Sequence, residues 1–428
     1  MDYRTFQISA DYKIAMMYAD TGGGHRSATE AIAQGLGLAW PGQFRVSTHN
    51  TFKDWHFPFS IAEDIYPPMV NHARGFYSAC FHATNTHKRI GLLRNLLMPL
   101  CEQDARDFIQ AHPADMYLSC HPLYNQLMPK VLADLQHPAL FVNMVTDLVT
   151  GHAYHYNPAV DACIVPTEHA RQQAIQNKIA PQKVFLAGQP IWPNFARRTQ
   201  NSQQVKRELG LSDNAPMILL MGGGDGMGTI DQIALHIMNS RTLAALDAHF
   251  VVVCGRNQQL KTKLEQAPSL LKKHILGFVN TVPELMGAAS VLVSKAGPGT
   301  ICEAFVAGLP VILYDAIPGQ EEGNVDYVVQ NGAGVWSPDP IEVVHHLATW
   351  LSTPSLYAQF CQAALKLAKP DSAIAIANIL VQLAQQPRKT PPQRRFFLTG
   401  KSFVKPFQMP LTGRIRANSL INLMRSVR

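Results

Sequence analysis

The chain has 428 residues, 47% of them hydrophobic and 16% charged, enough for two or three globular domains and unlike a disordered or fibrous composition. No apolar run approaches the ~20 residues that span a bilayer, and Met1–Phe6 lacks the basic-then-apolar order of a signal peptide. The seven scattered cysteines form no CxxC pair, so reduced thiols in a cytosolic setting are expected rather than disulfides or zinc. The net charge of +7 is uneven: ten Lys or Arg and no acid lie between Gln386 and Arg428, leaving 27 basic against 30 acidic residues elsewhere.

Tyr12–Tyr18 reads as a buried strand, Asp20-Thr-Gly-Gly-Gly-His25 as a loop, and Arg26–Leu38 as an alanine-rich helix. Strand, glycine loop and helix open a doubly wound parallel sheet. The loop is neither a Walker A sequence nor GxGxxG. His25 at the helix mouth is a candidate for contacting a phosphate or a reacting hydroxyl, with Asp20 at the strand end as its candidate partner; the plainer alternative is a residue that bonds its own loop. Asn50–Leu100 interleaves Trp55, Phe57, Phe59, Tyr66, Phe76, Tyr77 and Phe81 with Arg74, Lys88, Arg89 and Arg94. Such a mixture suits a membrane interface or a helical subdomain covering its own core. Asp54 and His56 in this region are acceptor-site candidates, as is Trp55. Short strands at Asp115–Cys120 and Leu140–Thr146 place His121 and Asp147 at their C-terminal ends, and His152 follows; these three are further acceptor-site candidates. Ala162–Pro166 and Val184–Gly188 complete this sheet.

Thr199–Asn214 is polar and reads as the start of a second domain, so the expected division is 1–198, 199–386 and a tail at 387–428. Met217–Gly228 repeats the opening pattern, with Gly222, Gly223, Gly224 and Asp225 in the loop. Phe250–Arg256 and Ile275–Asn280 are further strands whose loops share that edge. The most informative stretch is Lys295-Ala-Gly-Pro-Gly-Thr-Ile-Cys-Glu-Ala304. Gly297 and Gly299 allow a sharp turn and close approach of backbone to a ligand, and Pro298 stiffens it. Thr300 and Glu303 have the spacing of a capping box. Backbone N–H groups at such a helix start form an anion site, and Glu303 can accept hydrogen bonds from a sugar diol. The strand Val311–Leu313 then delivers Gln320, Glu321 and Asn324 to the same edge. Together these features suit a nucleotide sugar; a capped helix with a tight loop is the plainer reading. Leu347–Gln386 reads as helical. The tail alternates Lys and Arg with Phe, which suits an anionic membrane surface, a nucleic acid or a merely solvated segment.

These motifs, together with Thr21-Gly-Gly-Gly-His-Arg26, His121-Pro-Leu123, Val145-Thr-Asp-Leu148 and Cys254-Gly-Arg256, resemble those of the monogalactosyldiacylglycerol synthases. They resemble more distantly the lipid-linked N-acetylglucosaminyltransferases of peptidoglycan assembly. The resemblance runs from about Lys13 to Trp336 and implies the α/β GT-B fold, two Rossmann-like doubly wound domains facing a cleft. It implies that the glycine loop and Lys295 face the donor's diphosphate, that Gly277, Phe278, Val279 and Asn280 read the uracil, and that Arg256 belongs to the donor site. In Gly188-Gln-Pro-Ile-Trp-Pro193, Trp192 stands where the family has an arginine near the donor phosphates.

The expected activity is inverting transfer of a hexose, galactose foremost, from a UDP-hexose to diacylglycerol. No metal or other cofactor is expected, since no Asp-x-Asp occurs and helix N-termini with Lys295 would hold the leaving diphosphate. UDP-sugar, diacylglycerol and anionic membrane lipids are the expected partners, with no nucleic acid, on the cytoplasmic face of a membrane. The rivals are UDP-glucose or UDP-N-acetylglucosamine as donor to another lipid, a UDP-sugar epimerase, and a non-catalytic lipid-binding protein.

Overall fold

A computed structural model describes residues 11–386, except 22, 87–88, 92–94, 96–97, 213–214 and 224–228. The apolar runs become two six-stranded, wholly parallel sheets. The first contains β1 (Tyr12–Tyr18), β2 (Phe44–Asn50), β3 (Met116–Ser119), β4 (Leu140–Met144), β5 (Ala162–Val165) and β6 (Val184–Leu186), ordered β2-β1-β3-β4-β5-β6. The second contains β7 (Met217–Met221), β8 (His249–Val253), β9 (Lys272–Leu276), β10 (Val291–Lys295), β11 (Val311–Asp315) and β12 (Gly334–Trp336), ordered β12-β11-β10-β7-β8-β9. Helices cover both faces, so β3, β4, β5, β7 and β8 read as nearly uninterrupted apolar runs.

In an open parallel sheet, ligands bind beyond the strand C-termini where the winding direction reverses. The reversal falls between β1 and β3 in the first sheet and between β7 and β10 in the second. Those four strand ends carry the loops that hold His25, His121, Gly222–Gly223 and Lys295–Gly297.

The domain boundaries differ from those read in the sequence. Ile191 and Phe195 are buried in the core under the second sheet, so that unit begins before Thr199. The last helix, Ser372–Ala384, returns to the first sheet, where Ile376, Ala377 and Leu380 pack with Ile14, Met16 and Ile32. An apolar helical face specifies that it must be buried, not which sheet buries it. This return rests on a close approach to α1 (Gly24–Ala39): a Cβ at Gly35 would lie 2.7 Å from the Ala373 carbonyl oxygen. Gly35→Val is therefore expected to lower the unfolding free energy by about 1–3 kcal/mol, read as a lower urea midpoint. An unchanged midpoint would mean that the two helices separate freely.

The aromatic-basic region forms α2 (Phe59–His72) and α3 (Arg74–Thr84). Its aromatics mostly build a core of their own. Phe52 lies 4.8 Å from Phe59, and Trp55 lies 5.5 Å from Tyr124, ring centre to centre. Trp55 is 5% exposed, which removes it from the candidate lipid contacts; Phe57 and Phe76 are the large aromatics of this region that face solvent. Lys88 and Arg94, and the tail from 387 onward, lie outside the described residues. No helix among the described residues is long and apolar enough to cross a membrane.

Candidate active site at the interdomain cleft

On the first-domain side, Gly23 adopts a left-handed backbone (φ 83°) ahead of α1, which puts His25 in that helix's first turn. His25 Nδ1 lies 3.1 Å from Thr146 Oγ1, and its ring meets that of His121 edge-on at 4.7 Å. Burial pushes His25 down to about 4, opposed by the nearby Asp147 carboxylate. His121 is held well below the usual histidine range, again by burial and then by its histidine neighbours. Both rings are therefore neutral at physiological pH and able to accept a proton. Asp147 follows β4 and is buried. Burial alone would raise its carboxyl, but His155 Nε2 at 2.9 Å, the charge His25 carries when protonated and the amide of Gln320 at 3.4 Å hold it below the ordinary range.

Asp20 is not the partner of His25. It ion-pairs with Arg26, while its backbone N–H donates to Glu63. The carboxylate that acts most strongly on His25 is Asp147, which the sequence had placed only among acceptor candidates. Glu63, buried on α2, also accepts from Asn50 Nδ2 at 2.8 Å and so ties the ends of β1 and β2 together. Nothing in the ordinary helical pattern around Glu63 marks it. Thr146 and His155 were missed likewise, because their roles depend on partners distant in sequence.

On the second-domain side, β10 ends at Lys295, whose Nζ donates to Glu321 Oε1 at 2.7 Å. Gly223 has φ +77°, and a Cβ there would sit 3.3 Å from Lys295 Cε; one at Gly297 would sit 3.4 Å from Nζ. The ammonium thus lies between the two glycine turns, where a diphosphate would meet it. Gly224 and Asp225 fall outside the described residues. The following helix, Pro298–Val306, is capped by Gly297 with Pro298 at its first position and no side-chain cap bond. The capping box is therefore corrected: Thr300 sits at the third helical position, because proline is better placed to start the helix. Gly299 and Thr300 then carry first-turn N–H groups without partners inside the helix, the donor pair expected of an anion site. Glu303 is half-buried, has no hydrogen-bond partner among the described residues, and burial pushes its carboxyl up to about 7.

Glu321 and Asn324 brace this loop. Glu321 Oε2 accepts from the Ile317 N–H at 3.0 Å, and Asn324 Nδ2 donates to the Ala296 carbonyl at 2.9 Å. The Gly277–Asn280 loop lies at the end of β9 with Phe278 61% exposed beneath the Arg256 guanidinium, 5.9 Å away. Arg198 fixes that loop from behind by donating to the Asn280 carbonyl and, at 2.7 and 2.9 Å, to Glu284.

The two halves meet through side chains. Arg74 of α3 forms a two-pronged pair with Asp315 at 2.6 and 2.7 Å. Gln320 reaches Tyr66, Tyr77 and Asp147, and its carbonyl accepts from Thr150 Oγ1 at 2.7 Å. Trp192, in the crossover, donates to Ser27 Oγ at 3.1 Å, so it braces the first turn of α1. Asp54 and His56 do not join the cluster: both face solvent, and His56 Nδ1 bonds Asp104 at 2.7 Å. His152 is also committed elsewhere. Its Nδ1 accepts from the Tyr154 N–H, and its Nε2 lies 3.0 Å from Thr84 Oγ1. No three His, Cys, Asp or Glu side chains among the described residues come together as metal ligands.

Residues 25–191 match the pattern of the monogalactosyldiacylglycerol (MGDG) synthase family, and residues 217–347 match the glycosyltransferase family 28 C-terminal domain. The chain is 34% identical over 388 residues to the probable monogalactosyldiacylglycerol synthase 2, chloroplastic, of Oryza sativa subsp. indica, covering 89% of this chain and 82% of that one. It is 32% identical over 389 residues to monogalactosyldiacylglycerol synthase 3, chloroplastic, of Arabidopsis thaliana, covering 88% and 83%. Among solved structures, MurG of Acinetobacter baumannii superposes with a TM-score of 0.55 at 15% identity, covering 87% of this chain and 99% of that one. The UDP-GlcNAc 2-epimerase of Neisseria meningitidis, bound to UDP-GlcNAc, gives a TM-score of 0.57 at 12% identity, covering 86% and 100%. At such identities the superpositions speak for the two-domain fold, which is GT-B; the sequence matches speak for the family, and this chain belongs to the monogalactosyldiacylglycerol synthases.

Proposed function

We propose that the protein transfers galactose from UDP-galactose to the free hydroxyl of diacylglycerol, with inversion at the anomeric carbon and without a metal ion. The observation that carries this reading is the meeting, in one cleft, of a half-buried neutral histidine under the influence of the Asp147 carboxylate with a Lys295-centred pair of glycine turns. Family membership supplies the chemistry that joins them.

In this reading His25 accepts the proton of the lipid hydroxyl as its oxygen bonds to the anomeric carbon. The bond from that carbon to the β-phosphate oxygen breaks on the opposite face, and UDP departs with the electron pair. Lys295 and the N–H groups of Gly299 and Thr300 stabilise the developing phosphate charge. Asp147 steadies the imidazolium, and Glu303 takes the ribose hydroxyls. Entry of the anionic diphosphate raises the basicity of His25 toward the working range.

The acceptor is a membrane lipid, so the enzyme works at a bilayer surface, here taken as the cytoplasmic face, held by electrostatic attraction of the tail to anionic lipids. Near such a surface each Lys or Arg contributes about 1 kcal/mol. Truncation after Gln386 is expected to leave the fold intact, since the last helix among the described residues ends at Ala384, and to lower co-sedimentation with anionic liposomes at low salt. Equal binding by both forms would place the attachment on the α2–α3 region instead.

Purified protein given diacylglycerol vesicles and each UDP-sugar in turn tests the proposal. Lipid-linked galactose is expected from UDP-galactose. Sugar epimerisation without lipid product would favour the epimerase rival that shares the fold, and vesicle binding without UDP release would favour a lipid-binding protein.

A further inference from the structure

Gln320 is held from the opposite domain at both its backbone and its side chain. Thr150 Oγ1 donates to its carbonyl at 2.7 Å, while the Tyr66 and Tyr77 hydroxyls both point at its side-chain Oε1, at 3.2 and 2.7 Å. Its Nε2 lies 3.4 Å from Asp147 Oδ1. Asp147 is ionised and can only accept, so the amide must turn its NH₂ toward it. Burial keeps both phenols protonated, Tyr66 most strongly, so both can donate to the oxygen left on the other side. The turn before Gln320 is equally constrained: Gly319 has φ +82°, and a Cβ there would lie 2.8 Å from the Phe81 ring.

We propose that Tyr66 and Tyr77, on α2 and α3, are positioning residues that lock the Gln320 amide so that it presents an N–H, never its oxygen, to the hexose of the donor. This rests on the UDP-hexose reading above. The lock has a consequence for specificity. Epimeric hexoses differ in where a hydroxyl oxygen lies, and a donor fixed in direction discriminates between them better than an amide free to flip. Because the tyrosines belong to the first domain and Gln320 to the second, the lock exists only when the cleft is closed. Hexose reading and the contact of Gln320 with Asp147 therefore form together.

The test uses Tyr66→Phe and Tyr77→Phe, singly and together, in the full-length protein; the ring packing stays and only the hydroxyls go. Each lost hydrogen bond is expected to lower kcat/KM with UDP-galactose about 2–10-fold. The UDP-galactose to UDP-glucose preference should fall toward one, while affinity for UDP, which lacks the hexose, should hold. In a Gln320→Ala background the same phenylalanine changes should have no further effect on donor preference. A preference unchanged in the double variant, or equal losses with and without Gln320, would overturn the assignment. Calorimetric affinities for the two UDP-hexoses carry the same comparison whatever the acceptor. If the wild-type protein bound neither donor, the UDP-hexose reading would fail and the lock with it. If it bound UDP-galactose with no change in the variants, the lock alone would fail.

Discussion

His25→Ala will lower kcat by about 10²–10⁴-fold, the usual effect of removing a general base, while affinity for UDP stays close to wild type. The separation follows from the geometry: His25 belongs to the first sheet and contacts Thr146 and His121, whereas Lys295 and the glycine turns belong to the second. The pH dependence has a definite sign. His25 in the free protein is depressed to about 4, and only the neutral ring accepts a proton. The kcat/KM of the wild-type protein should therefore fall as pH drops through that value, and the residual activity of His25→Ala should lack this limb. Steady-state kinetics across pH checks both. A loss of less than tenfold would move the base to His121, whose ring lies against His25.

Glu303→Ala will weaken UDP binding by about 10–150-fold, the effect of losing a charged acceptor worth about 1.5–3 kcal/mol, as measured by calorimetry. The free protein carries this carboxyl half-buried and without a hydrogen-bond partner among the described residues, raised to about 7. A raised carboxyl adds stability that is fully present below its unfolded pKa and is lost as pH rises toward its folded one. The melting temperature of Glu303→Gln should therefore match wild type near pH 4 and exceed it increasingly between about 4.5 and 7. Hydroxyl donors from a bound ribose favour the ionised form, so UDP binding near pH 6.5 should release protons. Unchanged UDP affinity in Glu303→Ala would remove this residue from the site.

The parallel sheets and their glycine loops were legible because each repeats a local pattern: apolar strand, tight turn, helix. Local patterns also located His25, Lys295 and Glu303, whose positions depend only on the strand end preceding them. What depended on distant partners was not legible. The identity of the carboxylate acting on His25 turned on whether Arg26 or His25 claimed Asp20, and Arg26 lies on the same first turn with a longer reach. The aromatic content of α2 and α3 reads alike for a membrane face and for a core, and only the packing of Trp55 against Phe59 and Tyr124 separates them. Gln320 was recognised as a ligand-edge residue, but its tyrosine partners lie more than two hundred residues earlier. The last helix showed its apolar face without showing that Gly35 leaves room for it on the first sheet.

In the proposed reaction, a base and a departing diphosphate flank the anomeric carbon from opposite sides of one cleft. The most direct measurement is proton NMR of the lipid formed from UDP-α-galactose and diacylglycerol by the purified protein. A single displacement in that geometry gives galactosyldiacylglycerol with the β-configuration. A product with the α-configuration, or release of UDP with galactose found in no lipid, would contradict it.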